Sequence, residues 1–363
     1  MKKIKIAFAM IGADLLLLVL ARRYEAMAEW YGNRIYPIWL QTLGRVCGWF
    51  PGSVVEWLLY AFVFVTVIWF GRFLIQIHRK MPGAKQFFLK GMQRVLLFST
   101  VLFTLYTVTC GINYYKTSFT ETYGIKKEVY TTEELYRACE ILVERMNELY
   151  DQVRRNKTGE MLVSKGARRE AVTAMQSLGE SYEKLAGFYP LPKGLAGSWI
   201  LSVQGLTGVY SPFTIEANYN GDMPDYNIPH TMCHELSHLK GFMREDEANF
   251  IGYLACIASQ NPAFQYSGYL TGWVYAGNAL AEADMETYVQ LHGKLCESAR
   301  MDLRENSVFW EGYEGKVAEA ANQWNDTYLK MNNQTDGVKS YGRMVDLMLA
   351  YRKAEKEDVQ PMI

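Results

Sequence analysis

The segment from Pro229 to Gly241 reads Pro-His-Thr-Met-Cys-His-Glu-Leu-Ser-His-Leu-Lys-Gly, and it holds three of the chain's five histidines at four-residue intervals: His230, His234 and His238. On a helix, residues four apart stand on one face, so the imidazoles of His234 and His238 can reach a single metal ion. Glu235 is rotated by about 100° from His234 and can take a proton from water without competing as a ligand. This spacing, His-Glu-x-x-His, suits a Zn2+ ion that activates water for hydrolysis. Such a pattern also arises by chance on ordinary helices. The clustering of a scarce residue asks for a local cause.

A catalytic zinc needs a third protein ligand and one position left open. Gly241 can close the helix in a left-handed conformation, and the chain then offers Arg244-Glu245-Asp246-Glu247-Ala248-Asn249. Glu245 is the expected third ligand. Asn249 lies one turn further on the same face, where it can support a ligating imidazole or a carbonyl from behind. Glu247 is the alternative, and the plain reading of either acid is a favourable charge at the positive end of a helix. His230 is expected either to donate to the substrate or transition state, or to cap or pack. Residues Glu216, Ala217 and Asn218 lie in a run where Phe213, Ile215 and Ala217 alternate with polar residues, which suits a half-buried strand at a sheet edge that aligns an extended peptide by strand addition.

The elements that must position these residues are mostly helices. Thr131 begins one, with Glu134 completing a capping box, and a second pattern runs over 167–185. The metal-binding helix spans 229–240, with Pro229 in its first turn and Asn227 or Asp225 as cap. Helical patterns follow over 244–259, 266–298, 313–331 and 340–354.

Ahead of them, three stretches are apolar enough to cross a bilayer, at about 6–21, 57–77 and 95–113, close to the roughly 20 residues a spanning helix needs. They divide the chain into a membrane region, 1–113, and a domain over 114–363. Lys2, Lys3 and Lys5, and the cluster Arg72, Arg79, Lys80, Lys85, Lys90 and Arg94, place the amino terminus and the link between the second and third spans inside, which puts the larger domain outside. Arg22 and Arg23 pull the other way and are outweighed. Asp14 and Glu56 are costly at membrane depth and draw a functional suspicion; Glu56 sits near its helix end, where it can reach the interface, and is read as mainly structural. The 38 basic residues balance 38 acidic ones, so no field favours nucleic acid. Six cysteines without CxxC spacing argue against a cysteine metal cluster.

These residues carry a resemblance. Tyr210-Ser211-Pro212-Phe213-Thr214, Glu216-Ala217-Asn218, the His234 to His238 motif, Gly241-Phe242, Glu245 to Phe250, Tyr266-Ser267-Gly268-Tyr269 and Gly342 to Leu347 resemble a bacterial membrane-protein family known as domain of unknown function 3810. The site is also similar to gluzincins, including membrane-embedded CAAX-prenyl-processing peptidases. Their ExxA[D/N] element, matched by Glu245 to Asn249, implies Glu245 as third ligand and Asn249 as its companion. Only six residues separate His238 from Glu245, far fewer than in thermolysin-like enzymes. In metzincins the third histidine would fall on Arg244, which argues against that class.

The fold class expected is mainly α: three transmembrane helices, then an α+β zincin-like domain with a small sheet and the active-site helix. The function expected is zinc-dependent cleavage of a peptide or protein near the bilayer, in a multi-pass protein of the bacterial cell membrane with its catalytic domain extracytoplasmic. The alternatives are an inactive zinc-stabilised scaffold or sensor, and a transporter accessory protein.

Overall fold

The computed structural model describes residues 2–126 and 129–356, and it divides the chain into two compact units. The first comprises the residues up to Lys116 together with Ser211–Glu216; the second comprises Thr117–Tyr210 and the chain from Ala217 onward.

The first unit holds α1 (Lys2–Arg23), α2 (Glu25–Arg34), α3 (Tyr36–Trp39), a π-helical turn (Leu40–Gly44), α4 (Arg45–Gly48), α5 (Val54–His78), α6 (Ala84–Thr109) and a 3-10 turn (Gly111–Tyr115). Helices α1, α5 and α6 are long and apolar enough to cross a membrane. The third of them begins at Ala84, about eleven residues before the expected start. Lys85, Lys90 and Arg94 therefore lie on α6 itself. Hydropathy loses sight of a helix whose first turns are basic, although the backbone pairing continues through them. The helical segments from Glu25 to Gly48 carried no expectation from sequence.

Two acids of this unit have plain partners. Asp14 accepts a hydrogen bond from Thr104 Oγ1 at 2.7 Å, which joins α1 to α6. Glu56 accepts from the Tyr60 hydroxyl at 2.6 Å, one turn along α5. Ser53 caps α5 by accepting from the Glu56 N–H at 3.3 Å.

Glu216 is the larger surprise. Its Oε1 and Oε2 accept the backbone N–H groups of Val54 and Val55, at 3.1 and 3.0 Å. The carboxylate thus closes the amino terminus of α5, where unpaired donors and the helix dipole both favour a negative group. It is 2 % exposed, which leaves it no capacity to orient a peptide. Replacing Glu216 with alanine should destabilise α5 by about 1–2 kcal/mol. A thermal melt in detergent checks this, and a midpoint equal to wild type would show that water replaces the cap without loss.

The second unit comprises α7 (Phe119–Thr122), α8 (Thr132–Leu149), α9 (Ala167–Ser181), β1 (Lys193–Gly194), α10 (Trp199–Ser202), β2 (Gly208–Ser211) and β3 (Glu216–Tyr219) except for their end residues Ser211 and Glu216, which belong to the first unit, α11 (Asn227–His238), α12 (Glu245–Ala258), α13 (Pro262–Ala283), α14 (Met285–Lys294), α15 (Glu297–Glu311), α16 (Lys316–Met331) and α17 (Met344–Lys356). The capping box of Thr131 and Glu134 is present at the start of α8. The single long helix expected over 266–298 is instead two helices and the beginning of a third. Asp284 ends α13 in an extended conformation and caps α14 by accepting the Thr287 N–H at 3.1 Å. Aspartate's preference for caps over helix interiors is the signal that apolar periodicity masks.

The sheet has the order β1-β3-β2, with β1 parallel to β3 and Lys193 opposite Asn218. This overturns the expectation of an open edge at Glu216 to Asn218, because β3 is the central strand. Thr214 through Asn218 are all buried, so the alternation seen in the sequence does not mark an exposed and a covered face. The residues expected to alternate also include a turn: Ile215 has φ of +51°. The outer strand on the other side is β2.

Helices α8, α9, α11, α12 and α13 pack on one another around this unit's core. Every residue of α12 from Glu245 to Cys256 is buried, as is α11 from Ile228 to His238. Helices covered on all faces sit at the centre of a domain, and each fully buried Leu, Ile or Phe there contributes about 1.5–3 kcal/mol. The polar residues of the sequence motif are thus held inside an apolar frame.

Candidate metal centre

Helix α11 begins at Asn227, two residues before the expected start, and neither expected cap operates. Asp225 Oδ2 instead accepts the Val163 N–H at 2.8 Å, and Asn227 Nδ2 donates to Asn306 Oδ1 at 2.9 Å. The far end follows the local rule: Gly241 adopts φ of +79°, and its N–H donates to the His238 carbonyl at 2.8 Å. That left-handed turn reverses the chain and brings α12 back against α11. At Gly252 the two backbones come so close that a Cβ would lie 3.0 Å from the His234 nitrogen and 3.3 Å from the His230 carbonyl oxygen.

The return places Glu245 beside the two histidines. Its Oε2 lies 3.2 Å from His234 Nε2 and 3.8 Å from His238 Nε2, and the two Nε2 atoms are 3.1 Å apart. These are the three side chains that could hold a metal ion among the described residues. His238 Nδ1 lies 2.7 Å from the Phe242 carbonyl oxygen. A carbonyl can only accept, so Nδ1 carries the proton and Nε2 turns its lone pair to the centre. Two imidazole nitrogens facing each other at 3.1 Å need a proton or a cation between them.

Burial sets the protonation of the site. It lowers the pKa of His234 to about 4, with Asn249 pulling the other way, and lowers that of His238 to about 4, where the Glu245 charge opposes it. Both rings are therefore neutral near pH 7, the form that binds metals. Glu235 is 4 % exposed, and its Oε2 has no hydrogen-bond partner. Burial, and then the negative charge of Glu245, push its carboxyl well above the ordinary carboxylate range.

The other expected site residues fall out differently. Glu247 is turned away from the cluster: its Oε1 accepts the Phe119 N–H at 2.9 Å, at the start of α7. His230 Nε2 lies 3.1 Å from the Asn249 carbonyl oxygen, and its own N–H donates to Ser267 Oγ at 3.2 Å. With Nε2 protonated for that carbonyl, Nδ1 can only accept, which removes the donor role given to His230 and makes it a tie between α11 and α12. Burial, then the neighbouring His234, lower its pKa to about 3. Asn249 donates from Nδ2 to the Tyr275 hydroxyl at 3.4 Å, while His234 Nδ1 is buried without a hydrogen bond of normal geometry. Asn218 Nδ2 donates within the sheet, to the Val209 carbonyl at 3.3 Å, and Ala217 is buried.

Three neighbours of the centre had no role in the sequence reading. A Cβ on Gly208, the first residue of β2, would lie 2.4 Å from Glu235 Oε1 and 2.9 Å from the Asn218 carbonyl oxygen. Glycine inside a strand is a known sign of such close approach. The ring of Tyr210 has its centroid 6.1 Å from that of His238. Tyr275 stands near Glu245, whose charge adds to burial in raising its phenol to about 12.

The class of protein defined by these features is a mainly helical chain with three helices long enough to cross a membrane and a buried His-His-Glu cluster on two packed helices. A family model described as Protein of unknown function (DUF3810) matches residues 31–349, and the chain belongs to that family. No curated protein and no solved structure matches the chain.

Proposed function

We propose that this protein is a membrane-anchored zinc metallopeptidase in which His234, His238 and Glu245 bind the metal and Glu235 serves as general base. The observation that carries this reading is the meeting of those three side chains, from two helices, beside a buried carboxylate with an unpartnered oxygen. Ligands on a tetrahedral zinc with bonds of about 2.0–2.1 Å stand roughly 3.3–3.4 Å apart. The separations of 3.1 and 3.2 Å lie close to that figure, the third, 3.8 Å between His238 and Glu245, is wider, and two nitrogens with one oxygen are a donor set that zinc favours. Zinc bound there would supply Lewis acidity toward a carbonyl and toward water.

The chain's own residues supply the rest. Glu235 takes the proton of the attacking water and can pass it to the departing amine. Its confinement in an apolar frame keeps the carboxyl basic enough to do so. Tyr275 or Tyr210 offers a phenol within the same neighbourhood to a developing oxyanion. A peptide is aligned by β2, the outer strand whose first residue touches Glu235, in place of the strand expected from sequence.

Gly208→Ala tests the alignment, because the added methyl displaces Glu235 or β2 while leaving the ligands in place. Zinc content should hold and turnover should fall by about 10- to 100-fold. Full activity would separate β2 from the chemistry. The reading as a whole is tested by the metal content of protein purified in detergent without chelators. One zinc per chain is expected, together with peptide hydrolysis that a chelator stops and added zinc restores; protein that takes up no zinc would sink it.

The flanking charges support a reading in which the second unit lies outside the cytoplasm. A carboxy-terminal tag should therefore be open to protease in intact cells, and protection until the membrane is permeabilised would reverse that orientation.

A further inference from the structure

Glu245 is the first residue of α12, so its N–H belongs to the turn whose donors have no partner within the helix. The N-cap residue Arg244 supplies no side-chain bond. The partner comes from far along the chain: Gln334 Oε1 accepts the Glu245 N–H at 3.0 Å, 89 residues away. Gln334 is buried, and its Nε2 has no hydrogen-bond partner. An amide buried with its donors unanswered is costly, which makes the bond from its oxygen the visible reason for its place.

The loop that presents Gln334 is built to hold it. At the end of α16, Asn333 takes φ of +67°, and the Gln334 N–H donates to the Leu329 carbonyl at 3.0 Å. The Gln334 carbonyl in turn accepts the Gly337 N–H at 2.9 Å. Asp326 braces the far side, accepting the Val338 N–H at 3.1 Å and pairing with Lys330 at 2.6 Å. Gly337 has φ of +56°, and a Cβ there would lie 1.8 Å from Asp326 Oδ1. Any side chain at Gly337 would therefore both strain the backbone and displace the Asp326 carboxylate that braces the loop.

We propose that Gln334 is a positioning residue of the metal centre: by holding the first N–H of α12 it fixes the Glu245 carboxylate against His234 and His238, and so makes the α16 loop part of the site. The proposal rests on reading those three side chains as metal ligands. Its physical basis is that a ligand in the first turn is anchored from one side only. Helix ends fray, and a freed Glu245 N–H gives the carboxylate room to leave the short distances that a metal demands. Changing a partner that orients a ligand typically weakens metal binding by about 10- to 100-fold.

The test uses the full chain in detergent, and reads zinc affinity by competition with a chromophoric chelator and ligand geometry by the visible spectrum of the cobalt(II) form. Gln334→Met keeps size and loses the acceptor; it should bind zinc about 10-fold more weakly or worse, with a shifted cobalt spectrum. Gln334→Glu keeps an accepting oxygen and should stay within about 3-fold of wild type. Gly337→Ala, outside the site, should weaken zinc in the same direction as Gln334→Met, and it decides the matter if the methionine variant fails to fold by near-ultraviolet circular dichroism. Wild-type affinity and spectrum in a folded Gln334→Met, or in Gly337→Ala, would overturn the positioning role alone, as would a glutamate variant as weak as the methionine one. A wild-type chain that binds neither zinc nor cobalt would overturn the metal-site reading as well.

Discussion

Glu235→Gln should leave zinc in place and abolish most turnover, by a factor of about 100 or more. Glutamine preserves the size of the side chain and its capacity to hydrogen-bond, while it removes the basic oxygen that, on the proposed reading, accepts the proton from water. The protein should fold as before. Its stability should be equal or greater, because Glu235 is buried beside the negative Glu245 and a neutral amide relieves both the desolvation and the repulsion. The measurements are zinc content, a thermal melt, and cleavage of an unstructured membrane-proximal reporter. Full cleavage by this variant, with contaminating protease excluded, would end the general-base assignment even in a zinc-containing protein.

His238→Ala and Glu245→Ala should lose the metal itself. Each removes one of the three proposed donors and leaves the other two without the site's geometry. His238→Ala also breaks the bond to the Phe242 carbonyl that follows the Gly241 turn, so it should lower the thermal midpoint even in metal-free protein. Glu247→Ala is the control that separates ligand from brace. Its carboxylate holds the Phe119 N–H, so the variant should be less stable by about 1–2 kcal/mol while retaining wild-type zinc. Equal zinc in wild type, His238→Ala and Glu245→Ala would defeat the site. A Glu247→Ala protein that loses zinc without losing its fold would move the third ligand to the residue that the sequence offered second.

What the sequence by itself determined is what depends on neighbours within a few residues. Four-residue spacing puts His234 and His238 on one face of α11, Gly241 turns the chain back, and Thr131 with Glu134 starts α8. Each follows from helix geometry or cap chemistry acting over one turn. The three apolar helices were legible because nearly every residue in them points the same way in hydropathy; the start of α6 was not, because basic residues in its first turns do not interrupt a helix. Only the tertiary structure decided the remainder. Glu216 looks like one polar residue of an alternating strand until the amino terminus of α5 arrives to claim its carboxylate. His230 repeats the spacing of the other two histidines, yet the backbone of α12 takes its Nε2. Glu245 and Glu247 are indistinguishable in composition, and it is the start of α7 that takes one while the return of the chain brings the other to the histidines. Gln334 carried no signal at all, since its partner lies 89 residues away. A buried polar group must find a partner wherever the fold supplies one, and spacing along the chain does not record contacts made across it.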